Sequence, residues 1–379
     1  MIDPRISTTA DWLRDRLMAG AVPLPGYRAG DPLAVTWLGM GENYAAWLVE
    51  RSFPMIHEAT VDPTDPQAAN PATTPTTSAG FAAPATPTTV PVKPTSTTEV
   101  VVRIPYRPPE ASPRPIEAEF AALGLVPAQI GTHGLAVGVN DDNPLGCRFV
   151  MTTYAPGAPK PVADWTMDDV AAVVDQLVNL HDHSQSQHGL VTDPQPGPLD
   201  IVEEFEAGWA WWQVHHRPIT ELPQVQRILP LARNFIATRA PDFAALHQFS
   251  LVHADLVATN ITFHHGKAHF IDWEWAEYGD PARDLALLGG TVHGGPWYVP
   301  LTTTQIKSML TRYITGVESA SGLHLPYQNL LNRRDTWEVF ERFQAGLHYL
   351  LKAEELPDSH YPAAATQVWT TLETRLTLR

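Results

Sequence analysis

The stretch Leu251–Leu288, LVHADLVATNITFHHGKAHFIDWEWAEYGDPARDLALL, decides how the rest of the chain is read. It holds His253-x-Asp255, then Asn260 five residues after that aspartate, then Asp272 beyond two short apolar runs, and finally Gly279-Asp280-Pro281 with Asp284. Oxygen-bearing side chains on adjoining turns suit a magnesium and phosphate site. Two of them can hold the metal, because Mg²⁺ takes one or two protein carboxylates or carbonyls and fills its shell with phosphates and water. The third, Asp255, can orient a hydroxyl and accept its proton.

The same order, His-x-Asp with Asn five residues on and a further Asp beyond a hairpin, is that of the kinase catalytic loop. On these residues the stretch resembles the aminoglycoside phosphotransferase and choline kinase family, a kinase-like group acting on small molecules. The resemblance implies that Asp255 is the catalytic base and that Asn260 and Asp272 are the metal ligands. Trp273 and Glu274 stand where protein kinases carry Phe-Gly, which favours a small-molecule kinase. His253 reads as a loop-shaping residue that bonds backbone near Asp272, and Asp284 as the residue that holds the loop through its amides. Ala254 and Leu256 depart from the family pattern, which commonly has glycine and histidine there. Neither position supplies the base or a metal ligand.

A chain of 379 residues is long enough for two lobes sharing a cleft. The net charge of −16 argues against a nucleic-acid partner, which would call for a basic stripe. It suits attraction of cationic substrates, and it suits solubility equally well. The single cysteine, Cys147, cannot form an internal disulfide and fits a reducing compartment. The N-terminal residues lack the basic-then-apolar pattern of a secretory signal, and no apolar run approaches the roughly 20 residues of a membrane helix. A cytoplasmic protein with no membrane contact is the expectation.

Thr8–Met18 places Trp12, Leu13 and Leu17 at helical spacing, with Thr8 or Thr9 as cap. Val35–Glu50, VTWLGMGENYAAWLVE, reads as strand, glycine turn, strand. Gly39 and Gly41 let backbone approach phosphates, and Tyr44 stands where protein kinases have a third glycine. From Val61 to Thr98 the chain is Pro, Thr and Ala with few large apolar residues, so it buries too little to offset its conformational entropy. A disordered insertion at about 58–98, between the second and third strands, is expected.

Strand character resumes at Glu99–Tyr106, with Val101 and Arg103 on one face and Val100, Val102 and Ile104 on the other. Arg103 takes the position of the kinase strand lysine that reaches the nucleotide phosphates. A helix from about Arg114 to Leu123 offers Glu117 and Glu119 as its partner, and Glu119 leaves the better apolar stripe. Ala136–Val139 and Cys147–Met151 complete a five-stranded sheet, followed by a hinge at Thr152–Gly157. Thr166–His181 carries a clear helical stripe. In the helix Ile201–Val214, Glu203, Glu204 and Glu206 with Trp209, Trp211 and Trp212 form either an acidic, aromatic wall for a substrate or a core face with a wetted edge. Further helices are expected at Leu222–Arg239, Thr303–Val317, Arg334–Glu355 and Ala364–Leu376, with Trp297, Tyr298, His348 and Glu354 as unranked pocket candidates. His264, His265 and His269 lie in a short turn and read as surface residues rather than a zinc site.

The resemblance thus implies an α+β, two-lobed, protein-kinase-like fold. Residues 1–153 would form the nucleotide-binding lobe, with a five-stranded antiparallel sheet, and residues 154–379 the mostly helical catalytic and substrate-binding lobe. Its implied activity is ATP- and Mg-dependent phosphoryl transfer to a small-molecule hydroxyl. Gly39, Gly41, Arg103 and Glu119 would serve the nucleotide. Acidity and tryptophan content tilt the acceptor toward an amino sugar or another cationic alcohol, with Glu206, Trp209, Trp212 and Glu274 as candidate contacts. A neutral-sugar kinase and a nucleotide-binding sensor without turnover are the alternatives. Neither the acceptor nor the oligomeric state is legible.

Overall fold

The computed structural model describes residues 4–51, 99–109, 112 and 114–378; the expected insertion at about 58–98 lies outside them. Helix α1 (Pro4–Met18) precedes strands β1 (Leu33–Met40), β2 (Tyr44–Arg51) and β3 (Glu99–Pro105), helix α2 (Ile116–Leu123), and strands β4 (Gly134–Gly138) and β5 (Phe149–Thr153). The five strands make one antiparallel sheet in the order β1-β2-β3-β5-β4. Alternation along β3 sets its faces. Val100 and Val102 pack with Leu13 and Leu17 of α1, Val49, Phe149 and Met151 in a core of their own, while Arg103 turns to the other side. The helix starts four residues before the expected cap, because proline's fixed φ suits a first helical turn. Strand β5 begins two residues later than expected. Asn143 accounts for the delay: its side-chain amide donates to Cys147 O, and its Oδ1 accepts the Leu145 and Gly146 amides, which keeps Cys147 in the turn.

The second lobe is helical around short strands. Strand β6 (Ala158–Pro159) leads to α3 (Met167–Leu180), whose Thr166 and Asp169 form a reciprocal capping box. The two-residue strands β7 (Ser184–Gln185), β8 (Gln187–His188) and β9 (Gln195–Pro196) precede α4 (Ile201–His215), α5 (Arg217–Thr220), α6 (Pro223–Ala237) and α7 (Ala240–Ala244). Then come β10 (Phe249–Val252), β11 (Ile261–His264), β12 (Lys267–Phe270), β13 (Glu277–Gly279), α8 (Ala282–Leu288), β14 (Gly289–Gly290) and β15 (Val299–Pro300). The chain closes with α9 (Thr303–Ser321), α10 (Tyr327–Glu355) and α11 (Tyr361–Thr377).

Helix α10 is the spine, packed against α6, α8, α9 and α11. It begins seven residues before the expected Arg334, directly after Pro326. Its first half buries charge as well as apolar surface: Arg333, Arg334, Glu338 and Arg342 are all buried, so no single apolar stripe marks it in sequence. These charges bind the lobe's turns. Asp280 of the Gly-Asp-Pro turn accepts from Arg333, from Trp337 Nε1 (3.0 Å) and from the Ala282 amide (3.0 Å). Glu338 accepts from Arg334 (2.6 Å) and from the Val292 amide (2.8 Å).

The lobes meet beyond Thr153. Gly157 sits there with φ +93° and so close to β11 that a Cβ would come within 2.1 Å of Phe263 O, so only glycine fits. Among the described residues no helix is long and apolar enough to cross a membrane.

Candidate active site

The site is assembled by the fully buried strand β10, which delivers the chain to His253 with every residue enclosed. Asp284, itself fully buried on α8, accepts the backbone amides of His253 (2.8 Å) and Ala254 (2.9 Å). It also lies 3.2 Å from His181 Nε2, and His181 Nδ1 lies 2.9 Å from the Tyr313 hydroxyl. Burial alone would raise the Asp284 pKa, but the bonds and charges of His181, His253 and the loop amides outweigh it and hold the carboxyl below its ordinary value. The His253 ring lies with Nε2 2.9 Å from Ile271 O and Nδ1 3.3 Å from the Asp255 amide. Those partners require the neutral tautomer with the proton on Nε2. Burial, the first cause of its lowered pKa, agrees with that neutral state.

This geometry explains the departure at Ala254. Its φ is +59°, a left-handed conformation that costs a non-glycine residue about 1–2 kcal/mol. Ala254→Gly is therefore expected to raise stability by about 0.5–1 kcal/mol, after the extra chain entropy of glycine is subtracted. Urea unfolding midpoints measure it, and a loss of stability would show that the loop is not strained there. Asp272 also has a positive φ, +68°, a conformation aspartate tolerates better than most residues.

Asp255, half-buried, is bracketed by Asn260, whose Nδ2 donates to Asp255 O and Oδ2, both at 2.9 Å. Spending the amide N–H groups this way leaves Asn260 Oδ1 for a cation. Burial, then the charges of Asp272, Glu274 and Glu341, raise the Asp255 carboxyl well above the usual carboxylate range. Glu274 is pushed up to about 8 by burial and then by Asp272, and its buried Oε2 has no hydrogen-bond partner. Trp273 is fully buried against His253 and Phe270, so Glu274 alone of the Trp-Glu pair faces the cleft.

From the first lobe, the Arg103 guanidinium pairs with both Glu119 and Asp272 and lies over the Tyr44 ring at 4.2 Å. Tyr44 OH donates to Glu119 Oε2 (2.9 Å), so the residue at the third-glycine position supports the ion pair. Glu119 is buried, whereas Glu117 is exposed. At the β1–β2 turn the Gly41 amide donates to Tyr44 O (2.9 Å) and is spent on the turn, while a Cβ at Gly39 would meet nothing within 4 Å. Gly39 thus leaves the loop open to a ligand.

The turn also reaches the second lobe. Asn43 Nδ2 donates to Glu274 Oε1 (2.8 Å), and Glu42 Oε1 accepts from His348 Nε2 (2.8 Å) and from Tyr361 OH (3.1 Å). Beside them Trp297 stacks on Tyr349 (4.5 Å, 18°) and on Tyr361 (5.4 Å, 30°), and Trp297 O accepts the Ala258 amide (2.7 Å). An aromatic wall therefore runs from the Asp255 loop to the glycine turn. Tyr298 is buried under Arg342 and is not part of its face, and Glu354 is exposed on α10.

The wall expected on α4 does not form. Trp209 and Trp212 are buried in the helical core, Trp209 against Phe343, and Glu206 is spent on a two-pronged ion pair with Arg233 (2.7 and 2.6 Å). Aromatic side chains serve core and cage alike, and here Phe343 packs on both Phe205 and Trp209. Sequence reading missed Glu42, Asn43, Glu341, Tyr349 and Tyr361. The one legible signal was the pairing of Glu42-Asn43 with a glycine turn already assigned to the cleft.

Among the described residues no group of three or more His, Cys, Asp or Glu side chains is arranged to hold a metal. The oxygens available to magnesium are Asn260 Oδ1 and the Asp272 oxygen that Arg103 does not take, donors of the kind Mg²⁺ supplements with phosphate and water. Glu274, whose buried Oε2 has no hydrogen-bond partner, adds its charge to that of Asp272 once it ionises.

A two-lobed fold carrying an Asp-Asn-Asp cluster opposite a strand cation defines a kinase-like protein. The chain belongs to the phosphotransferase enzyme family, whose sequence model matches residues 79–323. Among solved structures it resembles a choline kinase from Cryptosporidium parvum Iowa II, with a TM-score of 0.57, 10% identity, and 98% of this chain and 95% of that one covered. A choline/ethanolamine kinase family protein from Mesorhizobium loti gives a TM-score of 0.56 at 13% identity, with 96% and 94% covered. A thermostable mutant aminoglycoside phosphotransferase in ternary complex with ADP and hygromycin B gives 0.50 at 13% identity, with 91% and 94% covered. No curated protein matches the chain by sequence. Such identities speak for the fold, and the family match makes the chain a small-molecule phosphotransferase.

Proposed function

We propose that the chain transfers the γ-phosphoryl group of ATP to a hydroxyl of a small cationic molecule, an amino sugar or amino alcohol. The observation that carries this reading is the aromatic wall of Trp297, Tyr349 and Tyr361 leading to Asp255, with the half-exposed Glu42 carboxylate bonded to Tyr361. Aromatic faces combined with carboxylates are the surroundings an organic cation prefers. Magnesium, when bound, neutralises the phosphate oxygens; Asn260 and Asp272 are the residues to hold it.

Arg103, pinned by Glu119, presents its remaining N–H surface to phosphate, and the open face at Gly39 admits the phosphates to the turn. Asp255 accepts the acceptor's O–H proton as that oxygen bonds to the γ-phosphorus, and the bond to the β-phosphate bridging oxygen breaks to release ADP. Its raised proton affinity suits it to take the proton late, when the attacking oxygen has become acidic. Most of the rate is supplied by placement and charge.

ATP consumption screened over amino sugars, choline, amino alcohols and neutral sugars is expected to respond to the cationic alcohols and to cease when EDTA removes magnesium. Turnover of neutral sugars alone would replace the cationic reading, and consumption with no acceptor at all would refute phosphoryl transfer to a small alcohol.

A further inference from the structure

The contacts of Glu42 run away from the nucleotide side of its loop. Its two side-chain partners, His348 and Tyr361, belong to α10 and α11, and Tyr361 is itself part of the stacked wall. The loop backbone is held in that pose from the other side, since Tyr106 OH donates to Gly41 O (2.7 Å) and to Glu42 O. Asn43, buried, fixes the next residue to Glu274. Yet the Glu42 side chain is 44% exposed, open to a ligand arriving along the wall. The nearby Lys352 ammonium is paired with Glu355 (2.7 Å) and helps, with His348, to keep the Glu42 carboxyl ionised.

We propose that Glu42 is a specificity-determining residue for the acceptor. Its carboxylate forms the outer end of the acceptor site, and an ammonium group of the acceptor takes the place that His348 holds against it. The Tyr349 and Tyr361 rings each lie with centroids 6.0 Å from the His348 ring, which adds to the preference for a cation at that position. The glycine turn then serves two substrates: its backbone meets phosphate and its first side chain meets the acceptor. Occupation of the acceptor site would steady the turn over the nucleotide.

This inference rests on the cationic reading above. Its test is steady-state kinetics on the full chain with Mg-ATP and two matched pairs of probes. These are choline against its uncharged isostere 3,3-dimethylbutan-1-ol, and glucosamine against glucose. Glu42→Gln is expected to raise KM for the charged member of a pair about tenfold or more, the equivalent of about 1.4 kcal/mol, while the neutral member shifts less than twofold. His348→Ala removes the competitor for Glu42 and is expected to lower KM for the charged member. The opposite signs matter, because a contact that merely latched the lobes together would make both variants fail alike. If both raise KM, or if Glu42→Gln shifts charged and neutral members equally, the assignment falls while the cationic reading stands. If the unaltered protein turns over only neutral members, both fall.

Discussion

Asp255→Asn is expected to lower turnover by about 10²- to 10⁴-fold, the contribution of a positioned proton acceptor, and at the same time to make the free protein more stable above neutral pH. The two effects have one origin. Burial, then the charges of Asp272, Glu274 and Glu341, raise the Asp255 pKa well above its ordinary value. A group whose folded pKa is raised gives stability that is fully present below its unfolded pKa, near 4, and that is lost as pH rises through the folded value. Asparagine is nearly isosteric and carries no charge, so it escapes that loss, and its Oδ1 can still accept from Asn260 Nδ2. The thermal midpoints of the two proteins should coincide near pH 4 and separate as pH rises, the variant melting higher at pH 9. Glu274, pushed up to about 8, is still largely protonated at neutral pH and carries the same trend into the alkaline range in both proteins. Binding of ADP should be retained, since Arg103 and the β1–β2 turn are untouched. Retained turnover would remove Asp255 from the chemistry, and a variant that melts lower at pH 9 would mean the carboxylates do not repel one another.

The half of the site that lies in one continuous stretch was legible, because a hairpin ties Asp255, Asn260 and Asp272 to fixed spacings that the sequence displays directly. Arg103 and Glu119 were legible for a related reason. Strand alternation dictates which face the cation takes, and the apolar stripe of a short helix dictates which glutamate turns inward. The wall proposed for the acceptor obeys no such local rule. Trp297, Tyr349 and Tyr361 come from a loop and two helices that meet only through the packing of α10, and α10 hides its faces by burying arginines along with leucines. Composition misled at α4, where the density of tryptophan and glutamate suggested a cage. Trp209 faces Phe343, and Glu206 faces Arg233, contacts fixed by residues more than a hundred and about thirty positions away. The part proposed to carry the chemistry is thus written locally and the part proposed to receive the acceptor is written in tertiary contacts, as expected where one scaffold serves many substrates.

Asp284 is where fold and chemistry are joined most tightly, and Asp284→Ala is expected to cost about 3–5 kcal/mol of stability, since it strands three buried donors worth about 1–3 kcal/mol each. Those donors are the His253 and Ala254 amides and His181, and each lies in a different dependency. Without the carboxylate the left-handed turn at Ala254 loses the bond that holds it in a strained conformation. Without the turn, His253 loses its approach to Ile271 O, and with it the tie between the Asp255 loop and the strand that presents Asp272. Asp284→Asn keeps the volume but offers one acceptor oxygen, and its NH₂ must face a donor, so it should fall between the two. Asp284 touches no reacting atom, which makes it a positioning residue with its own signature. In the folded Asn variant kcat should drop tenfold or more while ADP affinity stays within about threefold, because Arg103 and the glycine turn belong to the other lobe. Denaturant unfolding and ADP titration separate the two quantities. A loss below about 1 kcal/mol in Asp284→Ala would mean that the loop amides find other acceptors, and an unchanged kcat in Asp284→Asn would mean that the loop keeps its geometry without the carboxylate.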